Sequence, residues 1–503
     1  MGIFARQGQF FASRVSSVEF SRVEAGAEVG ATEGRRVAVV GAGPNGLTTA
    51  ALLARAGFQV DVFEQACEVG GACTSAERFP GATVDLGAAA HPFGVASPVF
   101  QALELERFGL TWRHPSIPLA HPLDDAPAAL LHRNLEATAS ELGSDERAWL
   151  RLHRHLVERI DAHLTNVLGP MLRLPPHPIT LARFGLPAMC PARALGHALF
   201  REDAARALLA GSAAHVSVPL SKPLTASFAH LLNTLGMTSG WPVAEGGSGA
   251  ITRALAAAVK AHGGRIHLGQ RITSLRQLPA RTVVLNLTPR QVLALDAELP
   301  QRTRRRLARW RYGPGSYKID YLLDAPVPWA DPRVGGAGTV HVGGTLDEIH
   351  RAEVSVAVGT MPTRPFVLVC QQQVADSSRA SAGHVVWAYT HVPHGYEEPE
   401  PGYVQHLVTA QIERFAPGFA NRIVDAHRTT ASDLERWNPN LVGGDIAGGS
   451  MAGLQALLRP GMSLTPYTLS KGRLYLASAA TPPGAGVHGM AGAWAARAVI
   501  RGA

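Results

Sequence analysis

Residues 36–64, RVAVVGAGPNGLTTAALLARAGFQVDVFE, decide the fold. Val37–Val40 is a short β-branched apolar run, and the glycines of Gly41-Ala42-Gly43-Pro44-Asn45-Gly46 follow at once. Leu47–Ala56 has helical composition, and Gln59–Phe63 returns as a strand ending on Glu64. This is the pattern of a dinucleotide-binding βαβ unit, and the chemistry explains its spacing. Gly41 permits the tight turn, Gly43 lets backbone approach a pyrophosphate, and Gly46 lets the helix pack against the strand, so that the helix N-terminus meets the phosphates. Pro44 and Asn45 complete the candidate loop. Glu64 stands at the expected ~20 residues, where a carboxylate accepts from ribose hydroxyls and repels a 2′-phosphate. The expected ligand is an unphosphorylated adenine dinucleotide.

Two further stretches choose among dinucleotides. Gly70-Gly71-Ala72 follows the ribose acid where flavoproteins place a second glycine pair beside the cofactor. Near the C-terminus, GRLYLASAATPPGAGVHGMAGAWAARAVI (472–500) reads as a strand at Leu474–Ala477, a Pro/Gly turn at Thr481–Gly486 and a helix at Gly489–Ile500. A glycine turn leading into a helix N-terminus offers backbone N–H groups and the positive helix end to the pyrimidine side of a reduced flavin. Gly484, Gly486, Val487, His488, Gly489 and Met490 are therefore candidate cofactor contacts, and FAD is favoured over NAD.

The chain resembles the phytoene desaturase family of FAD-dependent oxidoreductases, particularly its bacterial phytoene dehydrogenase-like members. That family is similar to carotenoid isomerases, retinol saturase and, more distantly, amine oxidases. The stretches that carry the resemblance are VVGAGPNGL (39–47), EQACEVGGACTSAERFPGATVDLGAAAHPF (64–93), WPVAEGGSGAITRALA (241–256), NPNLVGGDIAGG (438–449) and ATPPGAGVHGMAG (480–492). The resemblance implies an α/β protein whose Rossmann-type FAD-binding domain carries an inserted α+β substrate domain, with an apolar cavity above the flavin. It does not settle the reaction, and three readings from different classes stand. The first is a dehydrogenase or desaturase passing hydride from an apolar small molecule to flavin N5, with oxygen or a quinone-type acceptor taking the electrons. The others are redox-neutral alkene isomerisation and a flavin-stabilised interaction protein without turnover. Relatives often carry larger residues where Ala491 and Ala493 stand, which predicts a roomier flavin face.

The implied organisation interleaves the two domains. Residues 1–34 form an N-terminal extension. Cofactor segments span 35–112, 241–300 and 437–503, and substrate-domain segments span 113–240, mostly helical, and 301–436, strand-rich. At 503 residues, 46% hydrophobic and 17% charged, the chain can bury cores of this size. The net charge of +8 has no basic stripe with interleaved aromatics, so nucleic acid is not an expected partner. No apolar run reaches the ~20 residues of a membrane span. The expected location is the cytoplasm, with peripheral contact to anionic lipid the only membrane role left open. Cys67, Cys73, Cys190 and Cys370 form no CxxC, and Cys73 lacks the second cysteine that a disulfide reductase needs. No histidine spacing completes a metal-ligand set, and no metal is expected.

A flavin supplies its own hydride acceptor, so the protein need only orient the substrate, exclude water and tune charge. Lys318, in GPGSYKIDY (313–321), sits on a predicted strand in a context similar to the amine-oxidase lysine that holds a water near flavin N5. The alternative is an exposed strand ion pair with Asp320, two residues on and on the same face. His488, beside the C-terminal turn, is the second catalytic candidate. His91, Trp241, Tyr312, Trp387, Tyr389 and His391 are candidate pocket residues.

Overall fold

A computed structural model describes residues 35–502; the extension read over 1–34 lies outside the described residues. The β-branched run becomes the strand Arg36–Val40, paired in parallel with Gln59–Phe63 on one side and Thr282–Leu285 on the other. The sheet built around it has six strands in the order Thr468–Ser470, Leu474–Leu476, Thr282–Leu285, Arg36–Val40, Gln59–Phe63, Arg265–His267. All neighbours are parallel except the first pair. Three distant stretches of chain thus supply one sheet.

The crossover helix is Pro44–Arg55. It starts three residues before the composition predicts, because a proline at the first helical turn lacks only an N–H that would have no partner there, and its fixed φ already suits the helix. Val37 and Val39 point into a core shared with Leu47, Leu53, Leu255, Val259 and Val499, from the helices Pro44–Arg55, Gly249–Ala261 and Met490–Gly502. Ala38 and Val40, alternating to the other face, join Val283, Leu285, Leu295 and Leu307. The helix Gln301–Ala308 therefore packs its Leu307 against the parallel sheet, although the organisation implied by the resemblance starts the second substrate-domain segment at residue 301.

The second sheet has seven strands in the order Ile423–Thr429, Gly315–Leu323, His384–Val392, Val367–Cys370, Ala337–Val342, Ile117–His121, Ala129–Leu131. Its pairs are antiparallel except Ala337–Val342 with Ile117–His121. The mostly helical stretch after residue 112 thus also gives this sheet two strands. Its helices Asp203–Ala214 and Thr225–Met237 pack with Leu119, Leu131, Trp149 and Trp241 into a separate core. Among the described residues, no helix is long and apolar enough to cross a membrane.

Candidate active site

A cavity of about 550 Å³ is lined by residues of both sheets. From the parallel sheet and its loops come Gly41, Gly43, Pro44, Asn45, Glu64, Gly71 and Ala72. From the seven-stranded sheet come Ser316, Lys318, Leu368, Trp387 and Tyr389, and the helical region adds Phe228, Leu232 and Trp241. His91 and the C-terminal turn at Gly486 and Val487 line the same space.

The wall at the glycine loop is nearly bare backbone. Gly41 has φ +96°, a conformation that L side chains rarely adopt. A Cβ on Gly46 would lie 2.1 Å from the Gly41 carbonyl oxygen, so only glycine lets this helix start so close to the strand. The Glu64 carboxylate accepts from Ala42 N (2.7 Å) and Ala66 N (3.0 Å) while lining the cavity, which fixes its direction and leaves acceptor capacity for hydroxyls. The first turn of Pro44–Arg55 contains no acidic residue. This cradle fits a dinucleotide pyrophosphate and ribose.

Asn286 is the anchor that sequence reading missed. Oriented so that each amide atom meets a complementary partner, it donates to Ala477 O (2.8 Å) and accepts from Gly43 N and Gly46 N (each 3.2 Å). One side chain thereby ties the glycine loop to the ends of the Thr282–Leu285 and Leu474–Leu476 strands. A lone Asn after an apolar strand carries no distinctive spacing, so only the tertiary fold identifies it.

Several candidates lie behind the wall. Gly46 and Gly70 are packing positions, and the Gly70 N–H donates to Ala42 O (2.9 Å). Gly484, Gly489 and Met490 do not line the cavity either; a Cβ on Gly489 would lie 2.5 Å from Thr48 Oγ1, where the C-terminal helix meets the first. The same close packing accounts for Ala491 and Ala493, which are buried; Gly492, between them, would place a Cβ 2.0 Å from Asn45 O. Their small size serves helix contact and does not widen the cavity.

His488 also turns away. Its Nδ1 accepts from Met490 N (3.0 Å) at the start of the C-terminal helix, and its ring meets Phe93 edge-on at 6.0 Å. Burial holds it neutral, with a pKa pushed down to about 4. It is placed to shape the turn. Tyr312 stands behind Thr288, accepting from Arg290 N (3.0 Å) and sharing a hydrogen bond with Thr288 Oγ1 (2.9 Å). His391 stands behind Ser217, 3.0 Å from its hydroxyl.

His91, Trp241, Trp387, Tyr389 and Lys318 do reach the cavity. His91 Nε2 meets Ser248 Oγ at 2.7 Å, and burial pushes its pKa down to about 4 despite the nearby Asp85. Burial raises the Asp85 carboxyl, but Arg379, Ser75 and the Ser248 N–H outweigh it and hold it ionised. Trp387 donates to Asp85 O (3.0 Å), which fixes its indole. Lys318 pairs with Asp320, and its Nζ lies 5.8 Å from the Trp387 ring centre. The pair is buried, the two side chains 4% and 1% exposed, which corrects the expectation of an exposed strand pair. Burial drives the lysine down and the aspartate up, each opposed by its partner's charge. Cys73 and Cys370 line the cavity as buried free thiols; burial pushes Cys370 up to about 12 and Cys73 higher still, so neither is a nucleophile at neutral pH.

A family model described as an NAD(P)-binding Rossmann-like domain matches residues 39–104. The rat protein "Pyridine nucleotide-disulfide oxidoreductase domain-containing protein 2" is 26% identical over 96% of this chain and 96% of its own length. A limonene dehydrogenase polypeptide of Castellaniella defragrans is 38% identical over 21% of this chain and 19% of its own length. The zeta-carotene-forming phytoene desaturase of Myxococcus xanthus is 52% identical over 11% of each chain. The crystal structure of an oxidoreductase from Methanosarcina mazei superposes with a TM-score of 0.60 at 16% identity, covering 93% of this chain and all of that one. Cyclohexylamine oxidase from Brevibacterium oxydans gives 0.59 at 15% identity, covering 93% and 99%. The chain therefore has the mixed α/β fold, with its Rossmann-like unit, that these oxidoreductases share.

Proposed function

We propose that the protein is an FAD-dependent oxidoreductase, similar to phytoene dehydrogenase-like enzymes, that removes hydride from an apolar small molecule. The observation that carries this reading is the continuity of one cavity from the glycine cradle to walls of Phe228, Leu232, Trp241, Leu368, Trp387 and Tyr389. Such a chamber favours an apolar ligand beside a dinucleotide. The names of two relatives, a limonene dehydrogenase and a phytoene desaturase, also point to an apolar substrate.

In this reading Gly41, Gly43, Pro44, Asn45, Gly71 and Ala72 hold the pyrophosphate side, Glu64 holds a ribose, and Gly486 and Val487 border the ring side. Bound FAD would supply the hydride acceptor, with oxygen or a quinone-type compound as final acceptor. The aromatic walls orient the substrate and exclude water. Trp387, locked on Asp85 O, sets the floor against which Lys318 lies. Lys318 lies in the chamber wall, where its Nζ can donate to a water or a substrate oxygen.

The test begins with mass-spectrometric identification of small molecules that copurify with the protein. The compound recovered is added back anaerobically to FAD-loaded protein. Stoichiometric loss of oxidised flavin absorbance is the expected result. Conversion only after the flavin has been prereduced would contradict the proposal and indicate isomerisation; no conversion in either state would indicate a role without turnover.

A further inference from the structure

Ser217 reaches the chamber wall from the loop after the helix Asp203–Ala214. Its φ is +53°, where a side chain is uncommon and glycine is usual. The chain keeps a serine there nonetheless, and that serine is connected. Its Oγ lies 3.0 Å from His391 Nε2, and His391 Nδ1 lies 2.7 Å from Glu353 Oε1. His391, on the strand His384–Val392, and Glu353, on the helix Leu346–Ala357, are 2% and 1% exposed. Three separate elements are thus required to align three side chains.

One tautomer of His391 completes the chain from the serine to the carboxylate. With its proton on Nδ1, His391 donates to Glu353 Oε1. In the neutral imidazole Nε2 is then the acceptor, and the Ser217 hydroxyl donates to it. Glu353 Oε2 is buried and has no hydrogen-bond partner among the described residues, a costly arrangement for a group with only a packing role. The other titratable groups beside His391 are Tyr389, with ring centres 5.5 Å apart, and His215. His215 also lines the chamber, but burial pushes its pKa down to about 3, so it does not compete as a base near neutrality.

We infer that Ser217, His391 and Glu353 form a proton relay opening on the chamber, and that the substrate is an apolar molecule carrying a hydroxyl group. The substrate O–H proton passes to Ser217 Oγ as the serine's own proton passes to His391 Nε2. The products are a substrate alkoxide and an imidazolium held by the Glu353 carboxylate, with no other reactant required. Ser217 touches the substrate; His391 and Glu353 are positioning residues. A buried acceptor chain of this kind would be left idle by a plain hydrocarbon, which has no acidic proton to give.

The inference rests on the chamber being the substrate site, so its test uses FAD-loaded protein with 1-octanol and methyl octyl ether. The two share an apolar body and differ in the transferable proton. Calorimetric titration is expected to show the alcohol binding at least about tenfold more tightly. Ser217→Ala is expected to erase that preference while FAD content and ether affinity stay as in the wild type. Equal wild-type affinity for the two overturns the relay and leaves the chamber reading intact. Binding of neither, with FAD in place, overturns both. A second readout tests proton transfer itself: a fluorophosphonate is expected to label Ser217, located by peptide mass spectrometry, and Glu353→Gln to slow labelling about tenfold or more. No adduct at Ser217, or a rate indifferent to Glu353→Gln in folded, FAD-loaded protein, overturns the relay.

Discussion

Lys318 changes meaning once its surroundings are known. As an exposed pair with Asp320, its loss would cost at most about 1 kcal/mol. With the Asp320 side chain only 1% exposed, Lys318→Met strands a buried carboxylate, and the expected destabilisation rises to about 3–5 kcal/mol. Replacing both residues, as Lys318→Met with Asp320→Leu, should recover most of that loss. Denaturant titration of the single and double variants checks this, and an unchanged midpoint in the single variant would refute the buried pair. At this scale the sequence is partly legible. Motif or residue type places Glu64, Trp387, Tyr389 and His91 in the site, and they reach the cavity. Tyr312, His391 and His488 are equally plausible by type but lie one layer back, because a side chain's direction depends on the register of strands contributed from elsewhere. Ser217 and Asn286 carry no motif at all.

Among the elements, the first βαβ unit is readable because its signals are local: a β-branched run, glycines at fixed offsets and a helical stretch. The helix–strand contact at Gly46 is the tightest consequence. A Cβ there meets backbone at 2.1 Å, which no side-chain rotation relieves. Gly46→Ala is therefore expected to displace the helix Pro44–Arg55, lower the melting temperature and abolish retention of bound FAD. Wild-type melting and FAD content in that variant, measured by calorimetry and absorbance, would show that the loop tolerates a wider approach. The seven-stranded sheet is less legible. Ala337–Val342 lies beside Ile117–His121, more than two hundred residues earlier in the chain, and it is buried along its whole length. Burial of both faces removes the polar–apolar alternation that marks a half-exposed strand, and no local signal encodes so distant a partner.

Taken as a whole, the molecule encloses many neutral imidazoles. Burial pushes His91, His121, His153, His163 and His488 to about 4, and His215 to about 3, from an ordinary value of 6.5. The folded values are depressed, so between pH 6.5 and about 4 the unfolded chain binds more protons than the folded one. The stability from keeping these rings neutral is complete above the unfolded value and is lost as pH falls toward the folded ones. Each ring that charges only on unfolding contributes a slope of about 1.4 kcal/mol per pH unit. Urea midpoints are thus expected to hold steady from pH 8 to about 6.5 and to fall steeply toward about pH 4.5. A flat profile across that lower window would contradict the buried neutral histidines. The three-segment parallel sheet is the other molecule-wide feature, and the interleaved cofactor segments are expected from family resemblance alone, since no single segment contains enough strands to imply the sheet. Function depends on what that sheet holds. Acid release of the ligand from protein purified after reconstitution with excess FAD, followed by chromatography, tests it most directly: one FAD per chain is the expected yield, and recovery of NAD alone, or of no nucleotide, would contradict an FAD-dependent enzyme.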